Sequence, residues 1–410
     1  MQFALLSGCL LVGPALVGPI HGFEQRDKKN PNITVRELQL LLQKARDKHD
    51  VPALAAGISR AGDKPYMAVV GVRKRGTDIL AMIDDQWHLG SNTKPITALL
   101  IALLIDLGLL DWDTPLEQIF PEIAVKWSPD LKKITPAHLL THTSGLPSTG
   151  PLLGFLLGSS KASPAQHRDK LVKSLGTVRL TAKLGEKYEY SNLGYVLLGA
   201  IIDRRGKGSW EEQLEKKVFR PLGIKQWGLG PSDQKEAGKH PWPHSADGEP
   251  IPEGGLMDNP PVLNSAGRVR MSVADYQRFL AETLKLVRGE QGLLKPATAK
   301  KMFTSPYSAS PHSLSGWLTF SKKGSEGLVL AHDGSNRLNY CTAVVVPDEN
   351  LALCVLTNQG GPDGPGRGQP VLGGHQGGGE PDHRRHRKAH EEAGPRRGVQ
   401  SAAGGQGPGV

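Results

Sequence analysis

The stretch Ile96-Thr97-Ala98-Leu99-Leu100-Ile101-Ala102-Leu103-Leu104 contains no breaker and no charge, so it reads as a buried helix, apolar nearly all round. Upstream, Thr34-Val35-Arg36-Glu37 has the spacing of a capping box and opens a helix through about Lys48, with Leu38, Leu40, Leu41 and Leu42 available for burial. Ala53–Ser59 and Tyr66–Val72 read as two strands of a hairpin, joined by the polar turn Arg60-Ala61-Gly62-Asp63-Lys64. From about 86 to 254 the signals are mostly helical: Thr135-Pro136-Ala137-His138, the apolar turns after Asn192, and the cap Ser209-Trp210-Glu211-Glu212. Beyond Gly255 comes a capped helix at Ser272-Val273-Ala274-Asp275. Strands follow at Leu314–Phe320, Gly327–Ala331, Thr342–Val346 and Leu351–Leu356, with Pro347-Asp348-Glu349-Asn350 as the last turn. Strands at both ends around a helical middle predict an α+β fold. Its antiparallel sheet is built from N- and C-terminal segments (30–85 with 255–360) and flanked by helices, with an all-helical lobe (86–254) inserted.

Composition changes this picture mainly at the ends. The chain has 410 residues, enough for two lobes, but only 38% are hydrophobic, and the shortfall concentrates in 361–410. That tail is rich in glycine and proline without apolar periodicity, which predicts disorder. Residues 1–22 are apolar and small, like a signal peptide, although no Lys or Arg precedes the run; a secreted or periplasmic protein is expected, without stable membrane insertion after processing. The net charge of +10 includes the run His383–His390, but acidic residues flank it and no aromatic is near, so no nucleic-acid partner is expected. Cys9, Cys341 and Cys354 give neither a disulfide framework nor a metal spacing; the last two read as small core residues on neighbouring strands.

Three stretches carry chemistry. Ser91-Asn92-Thr93-Lys94 puts a hydroxyl and an amine three residues apart, on one face of a helix beginning at Ser91. Burial would lower the lysine pKa and let the neutral amine accept the serine proton. Tyr190-Ser191-Asn192 places a phenol and an amide in a turn before a helix. His332-Asp333-Gly334-Ser335 ends an apolar strand, where a glycine lets a ligand approach the backbone. Taken singly, each has a plain structural reading: an N-cap with a snorkelling lysine, a capping turn, a strand-end turn.

In this order, the three stretches resemble the motifs of the penicillin-recognising serine hydrolases: class C β-lactamases, serine D-Ala-D-Ala carboxypeptidases and related esterases. Leu139–Pro147, Asn264-Ser265-Ala266-Gly267 and the closing hairpin to Asn358 extend the resemblance over about residues 34 to 360. The resemblance implies an acyl-enzyme on Ser91, with Lys94 as base, Tyr190 as proton shuttle and Asn192 binding substrate. It also implies an oxyanion held by the backbone N–H groups of Ser91 and Ser335, and needs neither cofactor nor metal. Substrates would be small esters, β-lactams or peptides; the alternative is a module that binds or acylates once, as a sensor does. A Ser-His-Asp reading with Ser91, His332 and Asp333 lacks the Gly-x-Ser-x-Gly elbow. Two departures stand out. The third motif usually has lysine where His332 stands. An imidazole titrating near 6.5, adjusted by Asp333, would discriminate weakly in favour of anionic substrates. In addition, the tail lacks the last helix that the family lays on its sheet.

Overall fold

The computed structural model describes residues 33–60, 64–147, 162–231, 240–253, 257–321 and 327–361; the expected leader, Cys9 and the tail from 362 onward lie outside them. Strands β1 (Ala53–Arg60) and β2 (Tyr66–Gly71) form the expected hairpin. Near the other end, β6 (Leu318–Ser321), β7 (Leu328–Ser335), β8 (Tyr340–Val346) and β9 (Leu351–Thr357) form an antiparallel meander. β1 pairs with β9, giving one six-stranded sheet in the order β2-β1-β9-β8-β7-β6. This is the α+β sheet built from the two ends of the chain.

Alternation along the strands sorts side chains into two layers. Leu54, Ala56 and Ile58 of β1, with Val344, Leu353 and Val355, pack beneath the capped helix Val35–His49. That helix buries Leu38 and Leu42 and half-buries Leu41 but leaves Leu40 exposed, because 3.6-residue periodicity turns Leu40 to solvent. The opposite face, with Ala53, Ala55, Cys341, Ala343 and Cys354, joins the larger core against the helices. Cys341 and Cys354 are buried free thiols on adjacent strands.

Helix Thr93–Asp106 is the axis of that core: all but three of its fourteen residues are buried. Each fully buried Leu contributes about 2 kcal/mol of transfer free energy. Helix Asn192–Arg205, with ten of its fourteen residues buried, packs beside it. Among the described residues no helix is long and apolar enough to cross a membrane.

The structure corrects two expectations. The middle of the chain is not all-helical, because Trp87–His88 (β3) and Trp227–Leu229 (β4) pair with Val269–Met271 (β5) in a second, three-stranded sheet. Strands of two and three residues are too short to show a period. The expected strand at Leu314 begins only at Leu318, since Ser313–Trp317 closes a turn around Gly316 at φ +75°.

Candidate active site

Ser91 lies two residues before its helix, in the tight turn Gly90–Asn92, so the helix begins at Thr93 rather than at the expected Ser91. The turn is anchored on three sides. Thr93 Oγ1 donates to the Gly90 carbonyl (2.8 Å), Asn92 Nδ2 donates to the Cys341 carbonyl (3.0 Å), and the Tyr276 hydroxyl donates to Asn92 Oδ1 (2.8 Å). Gly90 has φ +54°, and a Cβ there would collide with the backbone nitrogen of Ser335. Conversely, a Cβ on Gly334 would strike the Leu89 carbonyl and come within 2.7 Å of the Ser91 nitrogen. The glycine of the third motif therefore serves the approach of the Ser91 backbone itself, which brings residues 90–91 and 334–335 together.

Lys94 is fully buried, and burial pushes its amine well below the ordinary lysine value. Its Nζ donates to Asn192 Oδ1 (2.8 Å) and to the Ala266 carbonyl (2.7 Å), and lies 3.0 Å from Ser91 Oγ. A neutral amine has two hydrogens and one lone pair. With the hydrogens taken by two acceptors, the lone pair is left for the Ser91 hydroxyl.

Tyr190 lies beneath Lys94, whose Nζ sits 4.8 Å from the ring centre. Burial raises the phenol above its ordinary value and its hydrogen bond with Ser91 opposes that rise, so it is held protonated. His142 clamps this residue. Its carbonyl accepts from Glu189 N–H (2.8 Å), its Nδ1 accepts from Ser191 N–H (3.0 Å), and its ring stacks on Tyr190 at 4.4 Å. His142 does so from a left-handed conformation, φ 57°.

His332 faces the same cluster: its ring centre lies 6.0 Å from that of His312, which lies 4.9 Å from that of His142. Burial, then His312 and Lys94, hold His332 well below its ordinary value. The expected titration near 6.5 is therefore corrected: the ring stays neutral there. Burial likewise lowers His142, and brings His312 down to about 3. Among the described residues His142 Nε2, His312 Nδ1 and His332 Nε2 have no hydrogen-bond partner. Asp333 does not complete a triad with His332. His332 Nδ1 donates instead to the Asp333 carbonyl (2.7 Å). Strand alternation puts His332 in phase with Leu330 of the larger core, and Asp333 in phase with Val329 and Ala331 of the other layer.

The structure thus brings Ser91, Lys94, Tyr190, Asn192, His332, Gly334 and Ser335 into one place. The sequence model of the Beta-lactamase family matches residues 38–376, well over half the chain. The chain belongs to the beta-lactamase family. As a member of it, the protein is a serine hydrolase. It is similar to Penicillin-binding protein 4 of Amycolatopsis lactamdurans, 27% identical over 328 residues that cover 77% of this chain and 83% of that one. It also resembles an unguisins hydrolase of Aspergillus campestris, 28% identical over 49% of this chain and 38% of that longer protein. Its fold matches the D-amino acid amidase of Ochrobactrum anthropi complexed with L-phenylalanine amide, with TM-score 0.64 and 20% identity over 80% of this chain and 91% of that one.

Sequence reading of this beta-lactamase-family chain singled out neither His142 nor His312. His142 stands in the quoted stretch Leu139–Pro147, but its signal lies in contacts 49 positions downstream, which no local pattern announces.

Proposed function

We propose that this serine hydrolase works through an acyl-enzyme on Ser91 and acts on esters or amides, peptides included, that need no free carboxylate. The observation that carries the reading is the bonding of Lys94: Asn192 and Ala266 take two of its hydrogens, so the lone pair of the amine, once neutral, faces the Ser91 hydroxyl. Ser91 Oγ attacks the carbonyl carbon while its proton passes to Lys94. The carbonyl oxygen becomes an oxyanion facing the N–H groups of Ser91 and Ser335, at about 3 kcal/mol per donor. Tyr190 gives its proton to the leaving nitrogen or oxygen and recovers one from the Lys94 ammonium. Water then repeats the sequence on the acyl carbonyl, releasing the acid and restoring Ser91.

The substrate preference rests on charge. Where relatives place a lysine, His332 is neutral, and its neighbours His312 and His142 are neutral too. A polar but uncharged wall suits an amide, which both donates and accepts, better than a carboxylate. The amidase among the similar proteins accords with that class.

The test is intact mass after incubation with a fluorophosphonate and with a panel of esters, β-lactams and D-amino-acid amides. One adduct on Ser91, absent in Ser91→Ala, is expected, and amide or ester adducts should clear with turnover. A label on another serine would overturn the assignment of the nucleophile. An amide or ester adduct that never clears would make the protein a single-turnover binder.

A further inference from the structure

Asp258 lies outside every motif, yet its side chain is 1% exposed and accepts four hydrogen bonds. Oδ2 receives His88 Nε2 (3.0 Å) and Arg268 Nε (3.1 Å), while Oδ1 receives Asn336 Nδ2 (3.0 Å) and the backbone N–H of Asn259 (2.8 Å). That fills the four acceptor positions of a carboxylate. Burial alone would raise the carboxyl, but His88, then Arg268 and Asn336, bring it down to about 2.

Two of those donors lead to the reacting centre. His88 Nδ1 accepts from Gly90 N–H (3.1 Å), which fixes the ring hydrogen on Nε2 and aims it at Asp258. This arm ends one residue before Ser91. Asn336 spends its Oδ1 on the N–H groups of Leu338 (3.1 Å) and Asn339 (2.8 Å), pinning the turn that leaves β7. The second arm starts one residue after Ser335, whose Oγ donates to the Asn339 carbonyl (3.0 Å). Between the arms, Gly90 and Gly334–Ser335 meet backbone to backbone.

We infer that Asp258 is a positioning residue that sets the separation of the Ser91 and Ser335 N–H groups by tying Gly90 through His88 and Ser335 through Asn336. The inference rests on the proposed role of those two groups as oxyanion donors. One carboxylate gripping both segments fixes their relative position more tightly than either loop does alone. A shift of about 1 Å in a reacting geometry costs about 10²-fold in rate.

The experiment uses the full chain and an aryl boronic acid, which adds to Ser91 as a tetrahedral adduct with one oxygen where the oxyanion forms. Asp258→Asn keeps the volume but puts an amide against donors. It should lower kcat/KM about 10- to 100-fold with KM within about twofold, and weaken the boronic acid by the same factor. His88→Asn leaves an acceptor for Gly90 N–H but breaks the link to Asp258. It should lose a smaller factor, and add nothing in the Asp258→Asn background. If Asp258→Asn does not fold, His88→Asn and Asn336→Ala carry the test, and their losses should fail to multiply. Boronic-acid affinity that stays at the wild-type level in these variants, or single losses that multiply, would overturn the inference. Failure of the wild type to bind the boronic acid, or binding unchanged in Ser91→Ala, would instead overturn the reading of Ser91.

Discussion

The groups running from Arg168 to Asp258 and the imidazoles around Tyr190 are both buried, but they meet that cost in opposite ways. Arg168, fully buried, pairs with Asp203 (2.7 Å) and Glu211 (2.8 Å). Asn264 links Glu211 (2.9 Å) to Arg268 (2.8 Å), and Arg268 reaches Asp258. Every charge there has a partner. His142, His312 and His332 instead give up their charge, and each keeps a nitrogen without a partner among the described residues. Saturated pairs fix distances because breaking one strands a buried charge. Neutral rings fix little electrostatically, but they surround Lys94 and Tyr190 without adding a positive charge that would disfavour the ammonium formed when Lys94 takes the Ser91 proton.

The contrast breaks most visibly in stability. Arg168→Met should cost about 3–5 kcal/mol, read from denaturant midpoints, because Asp203 and Glu211 lose their counter-charge. A loss under about 1 kcal/mol would mean that the pairs are not holding the lobe together.

Acid should separate the two groups by pH. His138 and His244, both at about 4, join His142, His312 and His332 as imidazoles held below the ordinary 6.5. As pH falls the unfolded chain takes up these protons first, so the stability is whole above about 6.5 and is lost towards about 4. Each ring that is protonated in the unfolded chain and still neutral in the folded one removes about 1.4 kcal/mol for every further pH step of one. Asp258, at about 2, has the depressed carboxylate's sign: its contribution is present above about 3.8 and is lost only below that. Unfolding free energy measured from pH 7 to 3 should therefore fall early. A flat profile to pH 4 would contradict the neutral imidazoles.

A smaller effect sits at His142. His142→Leu should lower kcat about 10- to 100-fold with little change in KM, because Tyr190 loses its clamp. His142→Asn should recover most of that loss, since Asn tolerates the left-handed conformation and offers an oxygen to Ser191 N–H. Equal losses in both variants would show that the ring stack, rather than the hydrogen bond, holds Tyr190. The smallest expected effect is at His332. The ratio of kcat/KM for a carboxylate-bearing substrate to that for its methyl ester should be low and flat from about pH 5.5 to 8, as the ring does not titrate there. A large, pH-independent preference for the acid would point to a fixed cation elsewhere, such as Arg337 on the turn after β7.

What was legible in the sequence was what the chain states locally. The caps Thr34/Glu37, Ser209/Glu212 and Ser272/Asp275 all form, because a cap and its partner stand three residues apart. β8 and β9 appeared as apolar runs because both of their faces are buried. Ser91 and Lys94 were visible for the same local reason. Asp258 was not: its partners stand 170 positions before it and 78 after it, and nothing around it is periodic. The neutrality of His332 was also hidden, since burial among His312, Trp317 and Lys94 decides it rather than the adjacent Asp333.

The pairing of β1 with β9 has a consequence for timing. Gly57 finds its partner in Cys354, so a strand near the start of the sheet waits for the last one to be synthesised. Until Leu351–Thr357 has left the ribosome, β1 offers an open edge of backbone groups to any other strand. Contacts that distant form slowly, since the chain must close a long loop before they reward it. β7, which presses Gly334 against Ser91, is held in the sheet through β8 and β9. Hydrolytic activity should therefore appear late and all at once during synthesis, and a chain stalled before Leu351 should be inert and prone to associate through β1.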